Sequence, residues 1–156
     1  MNITISSGAL RKAYPGSRGL TLVEILVALL ILSIGLLGLA GLQTASLRFN
    51  TSSYFRTQAT ALAYSLADRM RANRQAALDG AYTFPFEATP PACGVPDGSG
   101  TVAQQEIAAW LNALACRLPQ SNGSVAQNGS VFTFTVRWDD SQGREAPLEF
   151  EFTTAL

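Results

Sequence analysis

The pattern of apolar and polar positions changes several times along the chain, and each change marks an element. From Leu20 to Leu42 the sequence is apolar for 23 residues, broken by one ionisable side chain, Glu24. At 1.5 Å per residue such a run makes a helix of about 34 Å, enough to cross a bilayer core of about 30 Å. Further on, Leu62, Ala63, Leu66, Ala67 and Met70 recur at the spacing of one helical face, while Arg56, Asp68, Arg69, Arg71 and Arg74 supply polar faces. No proline falls between Pro15 and Pro85. The pattern therefore predicts one helix from Leu20 to about Leu78, roughly 85–90 Å long, stopped at Asp79-Gly80.

Between Tyr82 and Gly100, Pro85, Pro90, Pro91 and Pro96 accompany Cys93, which predicts an irregular loop. Thr101-Val-Ala-Gln104 then reads as a capping box, opening a helix whose apolar face is Ile107, Trp110, Leu111, Leu114 and Leu118 and whose end is set by Pro119. Ser121 to Ser130, with Asn122-Gly123 and Asn128-Gly129, reads as a polar turn region. From Val131 the period becomes two. Phe132, Phe134, Val136 and Trp138 alternate with polar or solvent-facing positions, as do Leu148, Phe150 and Phe152, so two half-buried strands form an antiparallel hairpin joined by Asp139 to Pro147. Whether a further strand pairs with it, from the 121–130 region for instance, the pattern leaves open.

Charge then orients the chain. Arg11, Lys12 and Arg18 lie just before the apolar run, which keeps the N-terminus cytoplasmic and sends the rest across the membrane. Without those three the chain has 8 basic and 11 acidic residues, and from Gln75 onward three basic and nine acidic, so nothing resembles a footprint for nucleic acid. Cys93 and Cys116, both in the translocated part, allow one pairing and predict a disulfide there. An ordinary secretory signal would have an apolar region of about 7–15 residues without charge, and this one is longer and holds Glu24. A plain uncleaved anchor remains the stronger competitor. The carboxylate is what neither explains, since an acid inside an apolar span costs roughly 2.5–3.5 kcal/mol on insertion scales and marks a specific partner.

Gly19-Leu20-Thr21-Leu22-Val23-Glu24 resembles the class III signal of type IV pilins and pseudopilins. In that family a basic leader ends in glycine, a membrane-embedded peptidase cuts after it, and the fifth residue of the mature chain is glutamate. The resemblance implies cleavage between Gly19 and Leu20, N-methylation of Leu20 and a register role for Glu24; leucine stands where the family most often has phenylalanine. Residues 58–74, above all Asp68-Arg69-Met70-Arg71-Ala72-Asn73, look like the second half of the N-terminal helix of PilV-type minor pilins. The likeness covers residues 18 to about 82 and continues only in general layout.

The expectation is an α+β, pilin-like protein with a leader over 1–19, a transmembrane and assembly half-helix over 20–42, a periplasmic half-helix over 43–79, and a small head over 80–156. The implied role is a minor pilin that joins or primes a type IV pilus, with links to adhesion and twitching motility. Its implied partners are other minor pilins, the major pilin, the prepilin peptidase and the inner-membrane assembly platform of a Gram-negative bacterium. A type II secretion pseudopilin, or a single-span protein whose head binds a periplasmic ligand, are the alternatives. Gly35, Gly38 and Gly41 suit either close helix packing or a segment that can unwind in a filament. No catalytic residues, cofactor or metal are expected: the chain has no histidine and no G-x-S-x-G elbow. Asp139-Asp140 with Ser141 and Gly143 suits a hairpin turn better than a calcium loop, and Trp110 and Trp138 suit a core better than a ligand cage.

Overall fold

A computed structural model describes residues 19–96 and 98–156. Arg11, Lys12 and Arg18, and with them nearly all of the leader expected over 1–19, lie outside the described residues. The elements run α1 Leu22–Ala72, α2 Arg74–Leu78, α3 Val102–Arg117, β1 Asn122–Asn128, β2 Val131–Trp138 and β3 Leu148–Ala155. This is the expected α+β, pilin-like layout of a long N-terminal apolar helix, a short extra helix and a small antiparallel sheet. Contacts divide the chain into two compact units, Met1–Thr44 and Ala45–Leu156.

In the first unit, every described residue is exposed. Its backbone is helical from Leu22, two residues later than the pattern predicts, because Thr21 serves as the cap rather than as a helical residue. Two hydroxyls are satisfied by the helix itself: Ser33 Oγ donates to the Leu29 carbonyl at 2.7 Å and Thr44 Oγ1 to the Ala40 carbonyl at 3.0 Å. Such bonds to the carbonyl four residues back let a polar side chain sit in an apolar helix without an unpaired donor. The segment stays helical through Gly35, Gly38 and Gly41, and open space surrounds the position of a Cβ at each.

The second unit is built on the C-terminal stretch of α1. Ala59, Leu62, Ala63, Leu66, Ala67 and Met70 are buried there, which is the predicted face with Ala59 added. α1 does not run on to Leu78. It breaks at Asn73 (φ −116°, ψ 47°), and α2 follows. The cause is a side-chain contact: Asn73 Nδ2 donates to Tyr82 Oη at 3.1 Å, and the Tyr82 hydroxyl donates to Glu106 on α3. Asparagine is a weak helix former whose amide competes for local bonds, so this anchor can override the helical run. α2 ends where expected. Gly80 takes φ +87°, its N–H donates to the Ala77 carbonyl and that of Ala81 to the Ala76 carbonyl, both at 3.0 Å. That is a Schellman ending, and the left-handed residue it needs is cheapest as glycine.

α3 carries the capping box in full, Thr101 Oγ1 accepting from the Gln104 N–H and Gln104 Oε1 from the Thr101 N–H. It is tied to the preceding loop by the Cys93–Cys116 disulfide, with Cα atoms 4.7 Å apart. The Trp110 indole donates to the Leu62 carbonyl of α1 at 2.9 Å. The sheet order is β1-β2-β3, antiparallel throughout. β1 corrects the turn expected over Ser121 to Ser130: residues 122–128 are a strand and only Gly129-Ser130 turns the chain. The strand is imposed by tertiary contacts. Gly123 lies under α3, where a Cβ would stand 2.4 Å from Trp110 Cζ3 and 2.8 Å from Leu114 Cδ1, and Val125 exchanges backbone hydrogen bonds with Phe84. Tyr82, Trp110, Leu114, Val125, Phe132, Phe134, Val136 and Trp138 join the buried face of α1 in one core.

Candidate functional site

The head of the apolar helix brings together three of the residues singled out in the sequence. Gly19 and Leu20 precede the helix in non-helical, exposed backbone, Leu20 being 71% exposed. Thr21 caps it: its Oγ1 accepts the Glu24 N–H at 3.3 Å and its carbonyl accepts the Ile25 N–H at 3.3 Å. Glu24 therefore occupies the third helical position, in the first turn, where the partial positive charge of unpaired N–H groups favours a carboxylate. Thr21 was missed as a functional residue although Thr21-Leu-Val-Glu24 has the spacing of a capping box, a signal the apolar run masks. The arrangement is an accessible peptide bond with bulky apolar residues on one side, glycine on the other, and a carboxylate one turn into the helix.

From Ile25 to Leu42 the helix carries no ionisable side chain. Its best 18-residue window has a mean hydropathy of 2.8 and none of that window is buried. An apolar surface of this extent is far more than a soluble monomer leaves open, and it marks a membrane or protein interaction site.

Cys93 and Cys116, in the second unit, are a bonded pair. The Asp68–Arg74 run splits into local and long-range contacts. Arg71 pairs with Asp68 at 2.7 Å and donates to Thr154 Oγ1 at 3.0 Å, while Arg74 donates to the Leu156 carbonyl at 2.9 Å. The arginines thus hold the C-terminal strand against the helix. The Asp139 carboxylate organises the β2–β3 connection: Oδ1 accepts the Ser141 N–H at 2.8 Å and its hydroxyl at 2.6 Å, and Oδ2 accepts the Gly143 N–H at 2.6 Å. The Ser141 hydroxyl foremost, then the backbone donors, hold its pKa below the usual carboxylate value despite burial. These bonds make it the centre of a turn. Among the described residues no group of three metal-ligating side chains comes together. At Tyr82, burial first and the hydrogen bond to Glu106 second push the phenol above its ordinary pKa.

Residues 15–40 match the family model for the prokaryotic N-terminal methylation motif. The match supports a type IV pilin-like protein. It spans the glycine, the capped helix start, Glu24 and most of the exposed apolar stretch, and it points to a structural protein associated with a membrane and with pilus-type assembly machinery. No curated protein matches the chain, and no solved structure does.

Proposed function

We propose that the chain is a minor pilin, cut between Gly19 and Leu20, N-methylated on Leu20, and added in small numbers to a type IV pilus that it joins or primes. The observation that carries this reading is the methylation motif over residues 15–40, set on a helical stretch whose described apolar side chains, up to Leu42, are all exposed. Before assembly the protein sits in the inner membrane, N-terminus in the cytoplasm and head in the periplasm, with 1–19 as leader, 20–42 as the embedded half of the helix, 43–79 as its periplasmic half and 80–156 as the head. The prepilin peptidase acts on it first. The assembly platform, the major pilin and other minor pilins are its later partners.

Glu24 is the register device. Cleavage leaves an ammonium on Leu20, and a carboxylate buried among apolar helices is costly unless paired. Thr21 already caps the helix start within the subunit, so the Glu24 side chain is available to the Leu20 amine of a neighbour. Glu24→Ala should leave membrane insertion and cleavage in place while the variant disappears from sheared filaments and from complexes co-purified with other minor pilins. Equal recovery of Glu24→Ala and the parent in sheared filaments would remove the register role.

A further inference from the structure

The two edges of the sheet are treated differently. At the β1 edge, Phe84 and Val125 exchange both backbone hydrogen bonds, at 3.1 and 3.0 Å. Val125 therefore turns its peptide groups away from β2, and its neighbour Ser124, paired with Thr135, turns them toward β2. Alternation along β2 then directs Phe134 to β3, where it faces Phe152, and the Leu156 N–H donating to the Ser130 carbonyl at 3.0 Å has the same parity. So Phe150 and Phe152 bond to β2, whereas Glu149, Glu151 and Thr153 direct their N–H and C=O groups outward. All three are exposed, and among the described residues none of those outward groups has a partner.

Natural sheets blunt such an edge with proline, charged side chains (lysine above all), a bulge or a covering segment, and of these β3 carries only the carboxylates of Glu149 and Glu151. β3 has no proline or lysine and pairs with β2 over eight residues without a bulge. Its two faces also differ. Toward α1, half-buried Phe150 and Phe152 continue onto Tyr64, whose ring lies 4.3 Å from that of Phe152 and which is itself 47% exposed. Toward solvent, Glu149 is held by Arg137 through Nε at 2.7 Å, but Glu151, opposite Thr135, has no ionic partner among the described residues.

We propose that the β3 edge accepts an added strand from a different protein, apolar on the side facing α1 and carrying Lys or Arg beside Glu151. A second copy of this chain does not fit. Its own β3 would set glutamates against glutamates, which is unfavourable across strands; its β2 is central, and its β1 is uncharged with its edge met by Phe84. The phenylalanine rims and Tyr64 give the entering strand an apolar floor, and the excess of acidic residues in the head favours a basic one. The inference stands on the second unit alone and is independent of the pilus reading.

The test uses the detergent-solubilised full chain and two synthetic octapeptides, one alternating Lys with Val and one alternating Glu with Val. The Lys-Val peptide should bind at least about tenfold more tightly and protect the amides of Glu149, Glu151 and Thr153 from hydrogen exchange. Glu151→Lys should cancel or reverse that preference. Thr153→Pro, which removes an outward donor and no bond to β2, should abolish binding while Phe150 and Phe152 amides stay protected by the β2 ladder. Retained binding by a folded Thr153→Pro, equal affinity for the two peptides, or no binding would each overturn the proposal.

Discussion

Gly123 shows how one residue can decide a strand. With Trp110 and Leu114 filling the space where a Cβ would go, Gly123→Ala must push α3 off the sheet, an overpacking that costs about 1–3 kcal/mol; a lowered melting temperature with the disulfide intact is the expected result. Asp139 gives a pH-dependent counterpart. Its carboxyl is held below the ordinary value of 3.8, so its contribution is complete above that pH and is lost as pH falls through the folded-state value. Asp139→Asn should therefore be less stable than the parent at neutral pH, and the gap should narrow in acid melts. Tyr82 works in the other direction. Its phenol lies above 10.0, so its share of stability is complete below that pH and is lost as pH rises through the raised value. In Tyr82→Phe the parent's alkaline loss should shrink, read by denaturant titration across that range. The Asp139 turn is legible in the sequence, but nothing there marks the roles of Gly123 and Tyr82: Gly123 sits in an Asn-Gly pair that resembles a turn, and Tyr82 follows a helix stop. Only the partners brought up from α3 give them meaning.

Elements were legible where local chemistry and burial agree. The Thr101 capping box, the Gly80 stop, the period-two stretches of β2 and β3, and the buried face of α1 each announce themselves because the signal is local. β1 did not, since Asn-Gly-Ser-Val-Ala-Gln-Asn has neither strand propensity nor alternation, and its extended form comes from Trp110 above and Phe84 beside it. The break at Asn73 was hidden for a similar reason, as its cause is a hydroxyl nine residues on. The links between elements can be tested singly. Trp110→Phe keeps most of the ring but loses the bond to the Leu62 carbonyl, and should cost about 1 kcal/mol in chemical denaturation. Opening the Cys93–Cys116 bridge frees a loop with a sequence separation of 23 and should lower stability by about 3 kcal/mol by loop-closure entropy, seen as a shifted denaturation midpoint of the reduced protein.

At the scale of the molecule, the N-terminal stretch was the most legible of all, because a membrane imposes its demands on composition rather than on tertiary contacts. Hydropathy, the lone Glu24 and the glycine before Leu20 are all readable without coordinates. The structure adds the Thr21 cap, the self-satisfied Ser33 and Thr44, and the absence of any covering side chain over the described helix start. The proposed processing of this stretch as a pilin signal is tested by the intact mass of the membrane-associated protein from cells with active prepilin peptidase. The predicted result is a chain beginning at Leu20, lighter by residues 1–19 and heavier by one methyl group. A mass that retains Met1 in those cells would rule out cleavage at Gly19 and with it the pilin reading.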